Sequence, residues 1–172
     1  LLTMRLLAEE QKLGTLELLL TSPVREWEVV LGKYIASLLM LLAILAVTSY
    51  YVILMYVFGT PDSGPVFSAY IGLILYGATA LSIGLLGSSL SSNQIVAAVV
   101  GTAVLLFFSF INRVSTVIEG APASFLNALS MESRLADFTR GIIDTSHIVY
   151  FLSLTAIFIF ITIRSLETRR WR

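Results

Sequence analysis

Residues 34–60 read YIASLLMLLAILAVTSYYVILMYVFGT, a run without a single charged side chain. A helix that crosses a bilayer needs about 20 consecutive apolar residues, so this run spans with room for tilt. Tyr50, Tyr51 and Tyr56 crowd toward its far end, where amphipathic rings suit the headgroup level. The rest of the chain is built in the same way. Of its 172 residues, 57% are hydrophobic and 13% charged, against about 25% charged in soluble domains. Mean hydropathy is +0.90. That is too little charge to coat a water-facing surface, and the apolar residues come in long blocks, not one-sided stripes. A multi-pass membrane protein is the class that fits.

Downstream of the run, PDSGP at 61–65 places two prolines and a glycine in five positions and ends the helix in a tight turn. A second charge-free run extends over 64–112, too long for one helix. Its polar centre, SSLSSN at 88–93, divides it into spans at 66–90 and 94–111. All charges between the third span and the last fall in 113–146: Arg113, Glu119, Glu132, Arg134, Asp137, Arg140 and Asp144. The last span, 147–163, reads HIVYFLSLTAIFIFITI and ends at Arg164. The expectation is an all-α, multi-pass transmembrane helix bundle with four spans, forming one domain over 1–172.

With four spans, both ends lie on one side. Lys and Arg counts set which side. Arg5, Lys12, Arg25 and Lys33 precede the first span, and Arg164, Arg169, Arg170 and Arg172 follow the last. The opposite side has only Arg113, Arg134 and Arg140. Residues 1–33 and the tail 164–172 are therefore expected in the cytoplasm, and 113–146 outside the plasma membrane.

The cytoplasmic segment contains the most unusual sequence, EEQKLGTLELLLTSPVREW over 9–27. Gly14 ends one short helix and Thr15 N-caps another, its hydroxyl accepting an orphaned backbone N–H. Ser22 and Pro23 repeat the device, with Glu26 and Glu28 near the positive end of the helix that enters the first span. The shape is a short leucine-bearing helix lying across the membrane surface. A lipid-seated amphipathic helix carries Lys and Arg on its polar face. Here the polar positions are mostly Glu9, Glu10, Glu17, Glu26 and Glu28, which an anionic leaflet disfavours. A protein partner suits them better.

The pattern EEQKLGTLELLLTSPV followed by WEVVLGKY resembles the permease subunits of ABC-2 type ABC exporters, in particular the branch linked to gliding motility and copper-enzyme maturation. The tail FTRGIIDTSHIVYFLSLTAIFIFITIRSLETRRW is similar to that family's closing element. The resemblance implies six spans in the full protein, two of them before Leu1, in keeping with Leu1 standing where an initiator Met is expected. It implies that residues 9–23 are the coupling helix, which docks a cytoplasmic ABC ATPase through Glu9, Glu10, Gly14, Thr15, Leu16, Glu17, Leu20 and Pro23. Gly32 and Lys33 would pass motion into the first span. A second permease copy, or a homologous permease, would complete the pathway. ATP and Mg would bind the ATPase, and this chain would hold no cofactor. Residues 113–146 would include short, partly re-entrant helices, with an amphipathic helix on the outer leaflet as the plainer reading.

Other features bound the function by omission. The spans 34–60, 66–111 and 148–163 contain no Asp, Glu, His, Lys or Arg. Ion-coupled carriers place such groups inside spans despite their insertion cost, so energy must enter elsewhere. Ser68, Gly72, Ala80, Gly84, Ser88 and Ser92 lie on one four-residue ridge, and Ala97 and Gly101 extend the theme; small residues at this spacing let helices approach closely. Zero net charge points away from nucleic acid, and the chain has no Cys and a single His, His147, so neither thiol chemistry nor a His-rich metal site is available. His147 reads as a lone interfacial group, and Arg134 and Arg140 as balancing nearby acids at helix spacing. No nucleophile–base pair, HExxH-like motif or GxxxxGK[ST] loop is present, so no catalytic or metal site is expected. Trp171 and the basic tail read as an anchor at the lipid interface. Two rivals to the permease stay open: a structural subunit anchoring a surface machine such as a gliding apparatus, and a membrane-embedded lipid-modifying enzyme.

Overall fold

The computed structural model describes residues 3, 6–13, 25–115, 126 and 128–170, with the side chains of 11–13, 112, 115, 169 and 170 left aside. Among these residues the chain is all-helical: α1 (Ala8–Leu13), α2 (Glu26–Phe58), α3 (Ser63–Leu90), α4 (Gln94–Ser115), α5 (Met131–Thr139) and α6 (Thr145–Arg170). Four of them, α2, α3, α4 and α6, are long and apolar enough to cross a membrane. At 33 residues, α2 is about 50 Å long against a hydrocarbon core of about 30 Å. Its charged first turns therefore extend the helix well before Tyr34, where the charge-free run begins.

The boundaries have local causes. At the start of α2 the Arg25 N–H donates to Glu28 Oε2 at 3.0 Å, the half of a capping box in which a third-position acid reaches back. Asp62 caps α3 by accepting from the Gly64 N–H, which leaves Pro65 in the first turn, where its missing N–H costs little. Asn93 caps α4 through the Ile95 N–H at 2.9 Å. Ser130 caps α5, and Asp144 caps α6 through the Ser146 N–H at 2.8 Å. The end of α5 is a Schellman motif: Gly141 adopts φ +89°, its N–H donates to the Phe138 carbonyl, and the Ile142 N–H donates to the Asp137 carbonyl. The polar centre expected to divide the second charge-free run is the turn between Leu90 and Gln94. Ser92 falls in that turn, so the ridge of small residues on α3 stops at Ser88.

By contacts the chain forms two units, one of Leu1–Leu38, Ala78–Leu105 and Leu152–Arg172, the other of Leu39–Gly77 and Leu106–Phe151. The core of the first is Leu7, Val30, Ile83, Leu85, Ala97 and Leu166. The second is centred on Phe138, fully buried between the Phe151 ring at 6.5 Å and the His147 ring at 6.0 Å. Along α2, Val47, Tyr51 and Phe58 are 74%, 68% and 85% exposed. In water such a surface would drive association; against lipid it is ordinary. Hydroxyls within the helices are satisfied internally, as a bilayer requires: Ser37 donates to the Tyr34 carbonyl, Ser82 to that of Thr79 and Thr162 to that of Phe158.

Candidate functional site

Within the first unit, α3 is the element that the others meet. The Tyr34 hydroxyl of α2 donates to the Ala78 carbonyl at 3.2 Å, and Thr79 pairs with Thr155 of α6 at 3.0 Å. Glycine makes the approach to α4 possible. A Cβ at Gly87 would lie 2.8 Å from the Ala97 carbonyl oxygen and 3.0 Å from the Gly101 nitrogen, and one at Gly101 would lie 3.4 Å from Gly84 Cα. These are backbone atoms, so the two helices would have to part to admit a side chain. Gly84 also receives Thr3, whose side chain occupies the place a Cβ would take. Ala80 is half-buried on the same helix.

The N-terminal segment is seated on this hub. Leu7 and Ala8 are fully buried, and their N–H groups both donate to the Ser88 hydroxyl oxygen, each at 3.0 Å. The first turn of a helix has N–H groups without intrahelical partners; here a side chain of α3 supplies the acceptor. Three residues from Leu7, the Glu10 carboxylate meets Lys33 Nζ of α2 at 2.7 Å. Glu10 thus faces its own chain through Lys33. Glu9 is half-exposed. Gly32 has nothing within 4 Å of where a Cβ would sit, so no close approach there calls for a glycine. Gly14, Thr15, Leu16, Glu17, Leu20 and Pro23 lie outside the described residues.

A second cluster, within the second unit, joins α5 to the start of α6. Arg134 Nη1 donates to His147 Nδ1 at 2.9 Å. A guanidinium only donates, so Nδ1 is the accepting nitrogen and Nε2 carries the proton toward Asp137 Oδ2, 3.1 Å away. Arg134 also donates to the Ala128 carbonyl at 2.9 Å and lies over the Tyr150 ring at 4.1 Å. The Tyr150 hydroxyl donates to the Leu129 carbonyl. Gly72 of α3 opens the space for Phe138, and Ser68 donates to the Phe138 carbonyl. His147 is therefore not the lone interfacial group that sequence suggested. Arg134 serves the ring of His147, and the helix-spaced pair is Arg140 with Asp137, at 3.8 Å. Sequence reasoning also missed Thr3, Leu7 and the role of Ser88 as an acceptor. No periodic signal marks a contact across some eighty residues.

A family model described as "ABC-2 family transporter protein" matches residues 1–163. The chain is 33% identical over 87 residues to the probable multidrug ABC transporter permease YbhR of Escherichia coli K12, and equally to that of Escherichia coli O157:H7. The matched stretch covers 51% of this chain and 23% of each relative, so the chain spans under a quarter of the curated relatives it matches. No solved structure matches. A match over nearly the whole chain, on a helical scaffold with four candidate spans, settles the family: this chain belongs to the ABC-2 family of transporter membrane proteins.

Proposed function

We propose that the chain is the non-catalytic membrane subunit of an ATP-driven exporter, with a separate cytoplasmic ATPase docking on residues 9–23. The observation that carries this reading is a contrast within one sequence. The spans hold no titratable relay, while an acidic, leucine-bearing segment precedes them and runs on from buried residues seated against α3 and α2. A protein that moves cargo without an ion couple needs an external engine, and that segment is where one can grip. Both ends of the chain then lie in the cytoplasm, as the Lys and Arg distribution favours.

The pathway forms between this permease and a second copy or a homologous permease, in the plasma membrane. The name of the matched relatives, probable multidrug permeases, supports drugs as cargo. Within the family, the resemblance of EEQKLGTLELLLTSPV and WEVVLGKY supports the gliding-motility and copper-enzyme-maturation branch. The test is affinity purification of the full-length permease with its cognate ATPase. Glu9→Lys combined with Glu17→Lys should abolish recovery of the ATPase while membrane insertion persists. Undiminished recovery in that double variant removes docking on this segment.

A further inference from the structure

Resting on that reading, we propose that Ser88 and Lys33 form a two-point seat that delivers the ATPase-driven movement into α3 as well as α2. Ser88 holds the backbone of Leu7 and Ala8, and Lys33 holds the carboxylate of Glu10. The covalent path from Leu13 to Glu26 reaches α2 alone. Movement can enter α3 only through non-covalent contact, and the seat supplies it. Lifting the segment away from α3 would strip two buried N–H groups of their acceptor and uncover Leu7, so the segment and the end of α3 shift together. From α3 the movement spreads, because Gly87 and Gly101 hold the α3 and α4 backbones in contact and Thr79 ties α3 to Thr155 of α6. Lys33 closes the loop by fixing the same segment to α2, its Nζ only 2.7 Å from Glu10. Glu10 is thereby a strut inside the permease and not a contact to the ATPase. Ser88, Lys33 and Glu10 are positioning residues.

The chain has no cysteine, so single thiols can report on each route. In the full-length permease–ATPase complex, with any cysteines elsewhere in the permease removed, Trp27→Cys reports on α2 and Leu90→Cys on the end of α3. Both positions are exposed. The readout is the rate of maleimide labelling before and after trapping the complex with ATP and vanadate. In the parent complex both thiols should change rate on trapping. In Ser88→Ala the response at Leu90→Cys should be lost while that at Trp27→Cys persists. In Glu10→Lys and in Lys33→Glu, which cut the tie to α2, the response at Leu90→Cys should persist while that at Trp27→Cys falls. The exchanged pair Glu10→Lys with Lys33→Glu should restore the Trp27→Cys response and should recover the ATPase normally. A surviving Leu90→Cys response in Ser88→Ala, or an exchanged pair as impaired as Glu10→Lys alone, overturns the seat and leaves ATPase docking standing. A parent complex that forms without any response at Leu90→Cys overturns it too. A parent permease that recovers no ATPase defeats the exporter reading, and the seat with it.

Discussion

Replacing Gly72 with alanine sets two known effects against each other. Alanine in a helix interior is favoured over glycine by about 1 kcal/mol, so a glycine without a packing role is improved by the change. At Gly72 the added Cβ would lie 2.6 Å from Phe138 Cβ and 2.8 Å from Cγ. Those atoms sit at the root of a fully buried ring, so no rotation of a side-chain end relieves the contact and α5 must shift off α3. Overpacking of this kind costs about 1–3 kcal/mol, and the bond from Ser68 to the Phe138 carbonyl, which the shift would break, is worth about 1 kcal/mol. The net expectation is destabilisation by about 1–3 kcal/mol once the helix preference is subtracted. The assay is reversible unfolding of the full-length permease in mixed micelles titrated with denaturing detergent. Phe138→Gly provides the internal control: with both Cβ and ring gone from the contact, Gly72→Ala should turn neutral or stabilising. A parent-background Gly72→Ala protein as stable as wild type, or two changes that simply add, would refute the packing argument.

Other positions separate the same effects by the same unfolding assay. Gly32→Ala, with open space around it, should stabilise the protein by up to about 1 kcal/mol and leave ATPase recovery unchanged. Gly141→Ala forces an L side chain to φ +89° and should cost about 1–2 kcal/mol. For Thr79→Val and Thr155→Val, a double-mutant cycle should return a coupling of about 0.6 kcal/mol, the usual worth of an interhelical hydroxyl pair in a membrane; additive effects would mean that the 3.0 Å contact contributes nothing. Arg134→Met should leave the Asp137–His147 pair in place yet raise protease sensitivity around 126–130, because the Ala128 carbonyl loses its donor.

What sequence could and could not reveal follows from how each feature is encoded. The four long helices are written in composition, because a bilayer demands unbroken apolar length and backbone hydrogen bonds within the segment. The breaks at PDSGP and SSLSSN are written in capping chemistry that acts over two or three residues, and Asp62 and Asn93 serve as caps. Ser22 and Pro23 pointed to a helix start upstream of the charge-free run. α2 does begin before that run, but at Glu26, with Arg25 in the capping position that Ser22 was expected to hold. Pairings between distant residues had no local signature. Ser88 looked like one more small residue on a ridge, and its lone pairs turned out to serve Leu7 and Ala8. His147 looked solitary because Arg134 and Asp137 reach it from a separate helix. Glu10 looked like part of an acidic face, and only the fold brings Lys33 to it.

The most direct test of the account places a thiol-reactive cross-linker at Glu17→Cys in the full-length permease, co-expressed in cells with its cognate ATPase. The account predicts a covalent permease–ATPase adduct from this position and none from Phe58→Cys, with Glu17→Cys shielded from membrane-impermeant maleimide added outside the cell. A thiol at Glu17 that reacts from outside and never joins the ATPase would contradict it.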